Sequence, residues 1–157
     1  MKILFASFIT FFLFDVGNES VETNLNNKLL LKLINEKRAE GCNCGTTYMP
    51  PVSALTWSDT IALAASNHSK DMNKNNFFSH TSSNGKQLKD RFNAVGYKWM
   101  AIAENIAGGQ KDEQAVVDAW VKSEGHCKNI MNGTYKEMGA AKDGKYWTQD
   151  FGTKRTW

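Results

Sequence analysis

The strongest constraint on this chain is the order in which its hydrophobic periods occur. Lys28–Glu40 carries Leu30, Leu33 and Ile34 at helical spacing, with Asn27 placed to cap the start and Gly41 the end. A second helix is predicted from Ser58 or Asp59, with Ile61, Ala65, His68 and Met72 along one stripe. A third carries Leu88, Phe92 and Val95 and stops at Gly96. Tyr97–Ile106 is dense in aromatic and branched residues and reads as a strand. A fourth helix begins near Asp112, presents Val116, Ala119 and Trp120 to the core, and breaks at Gly125. Near the end, Asp143–Gly144 separates two β-forming runs between Met138 and Phe151, a hairpin signal because type I′ turns favour that pair. Helices followed by strands, without βαβ alternation, predict an α+β domain with helices packed on an antiparallel sheet.

Composition narrows the class. The chain has 157 residues, 41% apolar and 22% charged, which suits one globular domain of ordinary content. The net charge of +3 is spread along the chain rather than gathered in a stripe, so no nucleic-acid footprint is present. At the start, Lys2 precedes a nearly unbroken apolar run from Ile3 to Phe14, short for a membrane span and suited to the hydrophobic core of a signal peptide. The expectation is an exported protein with residues 1–17 as signal peptide, no stable transmembrane anchor and a working domain over 28–152.

The familiar catalytic and phosphate-binding motifs are absent: there is no G-x-S-x-G, H-E-x-x-H, P-loop or dinucleotide-binding glycine pattern. The candidates are two loop histidines and an acid. His80 lies in Phe77-Phe78-Ser79-His80 and His126 in Ser123-Glu124-Gly125-His126, both polar segments where side chains are free to meet ligands. Glu104 sits within the apolar Ile102–Ala107, and a buried acid needs a partner or a metal. Spacing alone leaves these three free to be unrelated. His80 and His126 would equally serve as helix caps, and Glu104 as an acceptor of backbone amides. His68, on the apolar stripe of the second helix, reads as a packing residue rather than a ligand. Gly41–Pro51 holds Cys42, Cys44 and both prolines and reads as an ordered surface loop. Three cysteines leave at least one without an intramolecular partner. Cys42 and Cys44 are too close in sequence to bridge each other without strain.

Several blocks in fixed order resemble one family. Phe77-Phe78-Ser79-His80, Gly96-Tyr97, Glu104-Asn105-Ile106-Ala107, Trp120, Ser123-Glu124-Gly125-His126, Asn129-Ile130-Met131 and Tyr146-Trp147-Thr148-Gln149-Asp150-Phe151-Gly152 look like the CAP superfamily (cysteine-rich secretory proteins, antigen 5, pathogenesis-related 1) in its bacterial form. The match runs from about Leu29 to Gly152. The resemblance implies a three-layer α-β-α sandwich around a mostly antiparallel sheet, secretion, and a cleft where His80, Glu104 and His126 converge. In the eukaryotic branch a second glutamate lies three residues after the tryptophan; here that position is Ser123. Glu124 would replace it if the segment were extended, since period-two spacing points Glu124 and His126 the same way. The resemblance of Cys44-Gly45 to bacterial members with this extra cysteine also favours a Cys44–Cys127 disulfide, leaving Cys42 free.

Two functional expectations follow. The first is a secreted, non-catalytic binding module whose cleft takes zinc or another divalent metal on His80, His126 and Glu104, or an extracellular ligand such as a small apolar molecule, a lipid or a cell-wall component. The second is a metal-assisted hydrolase or peptidase with zinc on His80 and His126 and Glu104 or Glu124 as general base. Nucleophilic catalysis by Ser79 or Ser123 ranks third, as neither is paired with a histidine and an acid. Binding is favoured over hydrolysis because the second acid is the feature this chain lacks.

Overall fold

The computed structural model describes residues 21–156, so the expected signal peptide, residues 1–17, lies outside the described residues. The elements are α1 (Asn27–Glu40), β1 (Cys42–Cys44), β2 (Thr47–Met49), β3 (Thr56–Trp57), α2 (Asp59–Asn75), α3 (Leu88–Ala94), β4 (Trp99–Gly108), α4 (Glu113–Lys122), α5 (Glu124–Ile130), β5 (Glu137–Asp143) and β6 (Tyr146–Lys154). A four-stranded sheet in the order β3-β5-β6-β4 forms the middle layer; β3 runs parallel to β5 and the other pairs are antiparallel. The α+β expectation holds, with one parallel edge.

Strand alternation divides the core. Met138 and Ala140 of β5 and Trp147 and Phe151 of β6 join Leu30 and Ile34 of α1, Val116, Val117 and Trp120 of α4, and Ile130 of α5 in one cluster. On the other face, Ile61 and Ala64 of α2 meet Phe92 of α3, Tyr97 and Ile102, while Met72 meets Ile106 and Tyr146. The result is a sandwich of α1, α4 and α5, then sheet, then α2 and α3. The helix α2 lies hard against β5 at Gly139, where a Cβ would stand 2.1 Å from the Ala62 nitrogen. Only glycine permits that approach.

Element boundaries depart from the sequence reading in several places; the strand expected over Tyr97–Ile106 runs over Trp99–Gly108. Asn26, not Asn27, caps α1, its side chain accepting from the Leu29 amide. The Gly41–Pro51 loop contains the β1–β2 hairpin, with Cys42 opposite Met49 and Cys44 opposite Thr47. Gly125 does not end a helix: α4 stops at Ser123, which then starts α5, and Gly125 lies inside α5. The final turn is Gly144-Lys145, one residue later than expected, because Asp143 pairs with Tyr146.

Candidate functional site

The candidate site gathers at β4, one of the two edge strands of the sheet, where both helical layers come within reach of one strand. Alternation along β4 sends Glu104 toward α2 and α3 and Asn105 toward α5. Glu104 is buried and both its oxygens are taken: Oε1 accepts from His80 Nδ1 at 2.8 Å, and Oε2 from Arg91 Nη2 at 2.5 Å. Burial alone would raise the Glu104 pKa, but the His80 hydrogen bond and the Arg91 charge outweigh it and hold the carboxylate below its ordinary range. An ionised carboxylate only accepts, so His80 Nδ1 carries a proton and Nε2 faces outward. The same hydrogen bond raises the His80 pKa against partial burial.

Arg91 and His68 fix the loop that presents His80. Arg91 Nη1 donates to the His80 carbonyl and to Ser82 Oγ, each at 3.0 Å. His68, fully buried on α2, lies 2.9 Å through Nε2 from the Ser79 carbonyl. A carbonyl accepts only, so Nε2 is the protonated nitrogen. Burial lowers the His68 pKa, so its 4.0 Å approach to Glu104 is not an ion pair at neutral pH. His68 is thus a satisfied packing residue.

His126 reaches the same edge from the opposite layer. Asn105 Nδ2 donates to the His126 carbonyl at 3.2 Å, and Asn129 Nδ2 lies within bonding distance of both the Glu104 carbonyl (3.2 Å) and Asn105 Oδ1 (2.9 Å). These bonds lash α5 to β4. The Cys44–Cys127 disulfide, with Cα atoms 5.4 Å apart, ties the same helix to β1. Burial and then the charge of His80 lower the His126 pKa, which favours the neutral ring at pH 7.

The expected residues therefore fall into unequal roles. His80 and Glu104 are in direct contact, whereas among the described residues the His126 ring makes no hydrogen bond to either of them, and its link to this edge runs through its carbonyl to Asn105. Glu124 stands apart. The segment is helical, not extended, so a two-residue offset turns Glu124 and His126 about 200° from each other. Glu124 instead pairs with Lys128 one turn on and packs over Gly45. Among the described residues, the group of three potential ligand side chains whose donor atoms all lie within 4.8 Å is Cys42, Cys44 and Cys127, not the histidine set.

Sequence reasoning missed Arg91 and Asp150. Arg91 shares a helix face with Leu88 and Phe92, and a cation on an apolar stripe announces a buried anion. Asp150 is the cross-strand partner of Glu104, fully buried, with neither carboxyl oxygen hydrogen-bonded. Burial, reinforced by the charge of Glu104, raises its pKa well above the usual carboxylate range, and it is held as the neutral acid. Beside His80, the exposed Phe78 ring stacks on Tyr146 with centroids 6.1 Å apart. Together with Gly108, Gly109 and Lys145 the two rings line a shallow pocket of about 270 Å³.

Known proteins resemble this chain in sequence and fold. Two Bacillus subtilis (strain 168) relatives are similar over a little under two thirds of the chain. The uncharacterized membrane protein YlbC is 40% identical over 100 residues, covering 64% of this chain and 29% of that protein. The uncharacterized protein YkwD is 38% identical over 99 residues, covering 62% and 38%. The chain thus spans about a third of the length of these curated relatives. Among solved structures, an extracellular protein containing an SCP domain from Bacillus anthracis str. Ames superposes with a TM-score of 0.73 at 32% identity, over 84% of this chain and 41% of the other. A cysteine-rich secretory protein from Staphylococcus aureus shares the fold at a TM-score of 0.60 and 18% identity, over 82% and 40%. No helix among the described residues is long and apolar enough to cross a membrane. The family model for the cysteine-rich secretory protein family, CAP, matches residues 31–151, and with the sandwich and the ordered blocks around His80, Glu104 and His126 in place, the chain belongs to that family.

Proposed function

We propose that this CAP domain is a secreted, non-catalytic binding module whose His80 and His126 imidazoles hold a divalent metal, zinc best matching two imidazole nitrogen donors. The observation that carries the reading is the commitment of His80 Nδ1 to Glu104, which fixes the direction of Nε2 and makes it the nitrogen that would coordinate once a metal displaces its proton. A carboxylate behind a metal-bound imidazole orients the ring and raises its basicity. Glu104, buried and bonded to both His80 and Arg91, acts as support for His80. The depressed pKa of His126 keeps its ring unprotonated and free to coordinate at neutral pH. A bound metal would supply a Lewis-acid centre with positions left for an external donor. The Phe78–Tyr146 stack offers apolar surface beside it for the rest of a ligand.

Hydrolysis is disfavoured by the same geometry. A general base must reach the water it activates without being engaged elsewhere. Glu104 is engaged, and Glu124 pairs with Lys128 on another side of α5. Calorimetric titration with zinc chloride tests the proposal: wild type binds with one site, and His80→Ala and His126→Ala each weaken binding at least tenfold. Absence of binding in wild type removes the metal. A parallel screen against ester and peptide substrates, showing turnover lost on chelation and in His80→Ala, would replace the binding module with the hydrolase.

A further inference from the structure

Outside the histidine site, one cluster carries chemistry of its own. The sulfur atoms of Cys42, Cys44 and Cys127 all lie within 4.8 Å of one another. Cys44 and Cys127 are bonded to each other and fully buried, whereas Cys42 is a free thiol, half-buried at the end of α1. Its Sγ stands 3.6 Å from Cys127 Sγ, in contact with the disulfide it does not belong to. Strand geometry explains the approach: residues two apart on β1 face the same side, so Cys42 and Cys44 both present sulfur to α5. Two of the three sulfurs are consumed in a bond, so the cluster is not a thiolate metal site in this redox state. The contact brings a thiol to a disulfide sulfur, but with all three sulfurs within 4.8 Å of one another Cys42 lies to the side of the Cys44–Cys127 bond, so exchange requires the Cys42 side chain to rotate into line before it attacks.

We infer that Cys42, Cys44 and Cys127 form a disulfide-exchange centre in which Cys42 trades places with Cys44 on Cys127. Burial raises the Cys42 pKa, so the thiol releases its proton to solvent at alkaline pH, and the resulting thiolate, once rotated into line, attacks Cys127 Sγ. The Cys42–Cys127 bond forms as Cys44–Cys127 breaks, and the departing Cys44 sulfur takes up a proton. Two electron pairs move and none is gained or lost, so the step needs no oxidant or reductant. The two isomers differ in exposure. In the first both bonded sulfurs are sealed in the core; in the second one of them, Cys42, reaches the surface. External thiols therefore gain access to the tether of α5 through Cys42.

Native wild-type protein held at pH 8.5, acid-quenched, and alkylated with N-ethylmaleimide under denaturing conditions reports the free cysteine, with fragment ions separating Cys42 from Cys44. Exchange places a growing share of label on Cys44 as well as Cys42. Label confined to Cys42 after prolonged incubation overturns the inference. Air-oxidised Cys44→Ser provides a second reading: a Cys42–Cys127 bond is expected, and a folded variant with both thiols free also overturns it. If Cys44→Ser fails to fold, the wild-type labelling decides alone.

Discussion

Arg91 Nη2 and Glu104 Oε2 stand 2.5 Å apart, with both side chains almost wholly withdrawn from water. A buried pair of this kind contributes less than it endangers: its formation roughly offsets desolvation, while removing one partner strands the other. Arg91→Met is expected to destabilise the domain by about 3–5 kcal/mol, read from urea denaturation midpoints. Combining it with Glu104→Leu should cost less than the sum of the single changes, since the stranded carboxylate is gone. Additive losses would show that the two side chains act independently.

Asp150 makes the opposite prediction. Its folded pKa is raised, by burial first and by Glu104 second, so it opposes folding once the unfolded chain ionises it. That opposition is absent below about pH 4, the ordinary aspartate value, and grows as pH rises toward the folded value. Asp150→Asn mimics the neutral acid in shape and is expected to be at least as stable as wild type at pH 7. The advantage should vanish at pH 3. Equilibrium unfolding at the two pH values checks this, and a variant weaker at pH 7 would mean that the carboxylate is ionised and serves the fold.

The two site histidines pull stability in contrary directions with pH. The folded pKa of His80 is raised by Glu104, so its contribution is complete below about pH 6.5 and is lost as pH rises through the folded value. His126 is depressed, by burial and then by His80; it favours folding above about pH 6.5 and that contribution is lost as pH falls through its folded value. His126→Gln is therefore expected to flatten the acid limb of a plot of Tm against pH between 5 and 7, and His80→Gln the limb above 6.5. Both rings are partly exposed, so solvent screens the changes and they will be modest. Identical profiles for the two variants would contradict the opposed shifts.

What was legible in the sequence had a local physical signature. The stripes of α1 and α2 and the Trp120 face of α4 were visible because apolar spacing is local, and Ser58 announced its helix by capping it. Glu104 was visible as an acid in an apolar run. The residues that make Glu104 tolerable were not, because Arg91 and Asp150 meet it across a helix–sheet interface and a strand pair, relations set by topology. Gly125 misled for a related reason. A glycine that looks like a helix stop sits inside α5, held there by the disulfide at Cys127 and by the bonds from Asn105 and Asn129. Tertiary contacts overrode local propensity at the point where His126 had to be aimed.

Gly139 and Gly125 provide a paired test of where glycine is required. An alanine methyl at 139 would stand 2.1 Å from the Ala62 nitrogen and 2.6 Å from the Ala62 Cα, and backbone inside a helix has no rotamer with which to yield. The layer of α2 would have to lift from β5, disturbing Ser69, which sits 2.8 Å from Thr148 Oγ1, and His68, which braces the His80 loop. Gly139→Ala is expected to cost roughly 3 kcal/mol or more, at the top of the range for overpacking. At 125 the added methyl meets nothing within 4 Å, and the position is helical. Gly125→Ala is expected to stabilise by about 0.5–1 kcal/mol, as alanine loses less backbone freedom on folding. Thermal denaturation of the two variants side by side should therefore give shifts of opposite sign. A loss at 125 would mean that its backbone must leave the helical conformation when the site is formed.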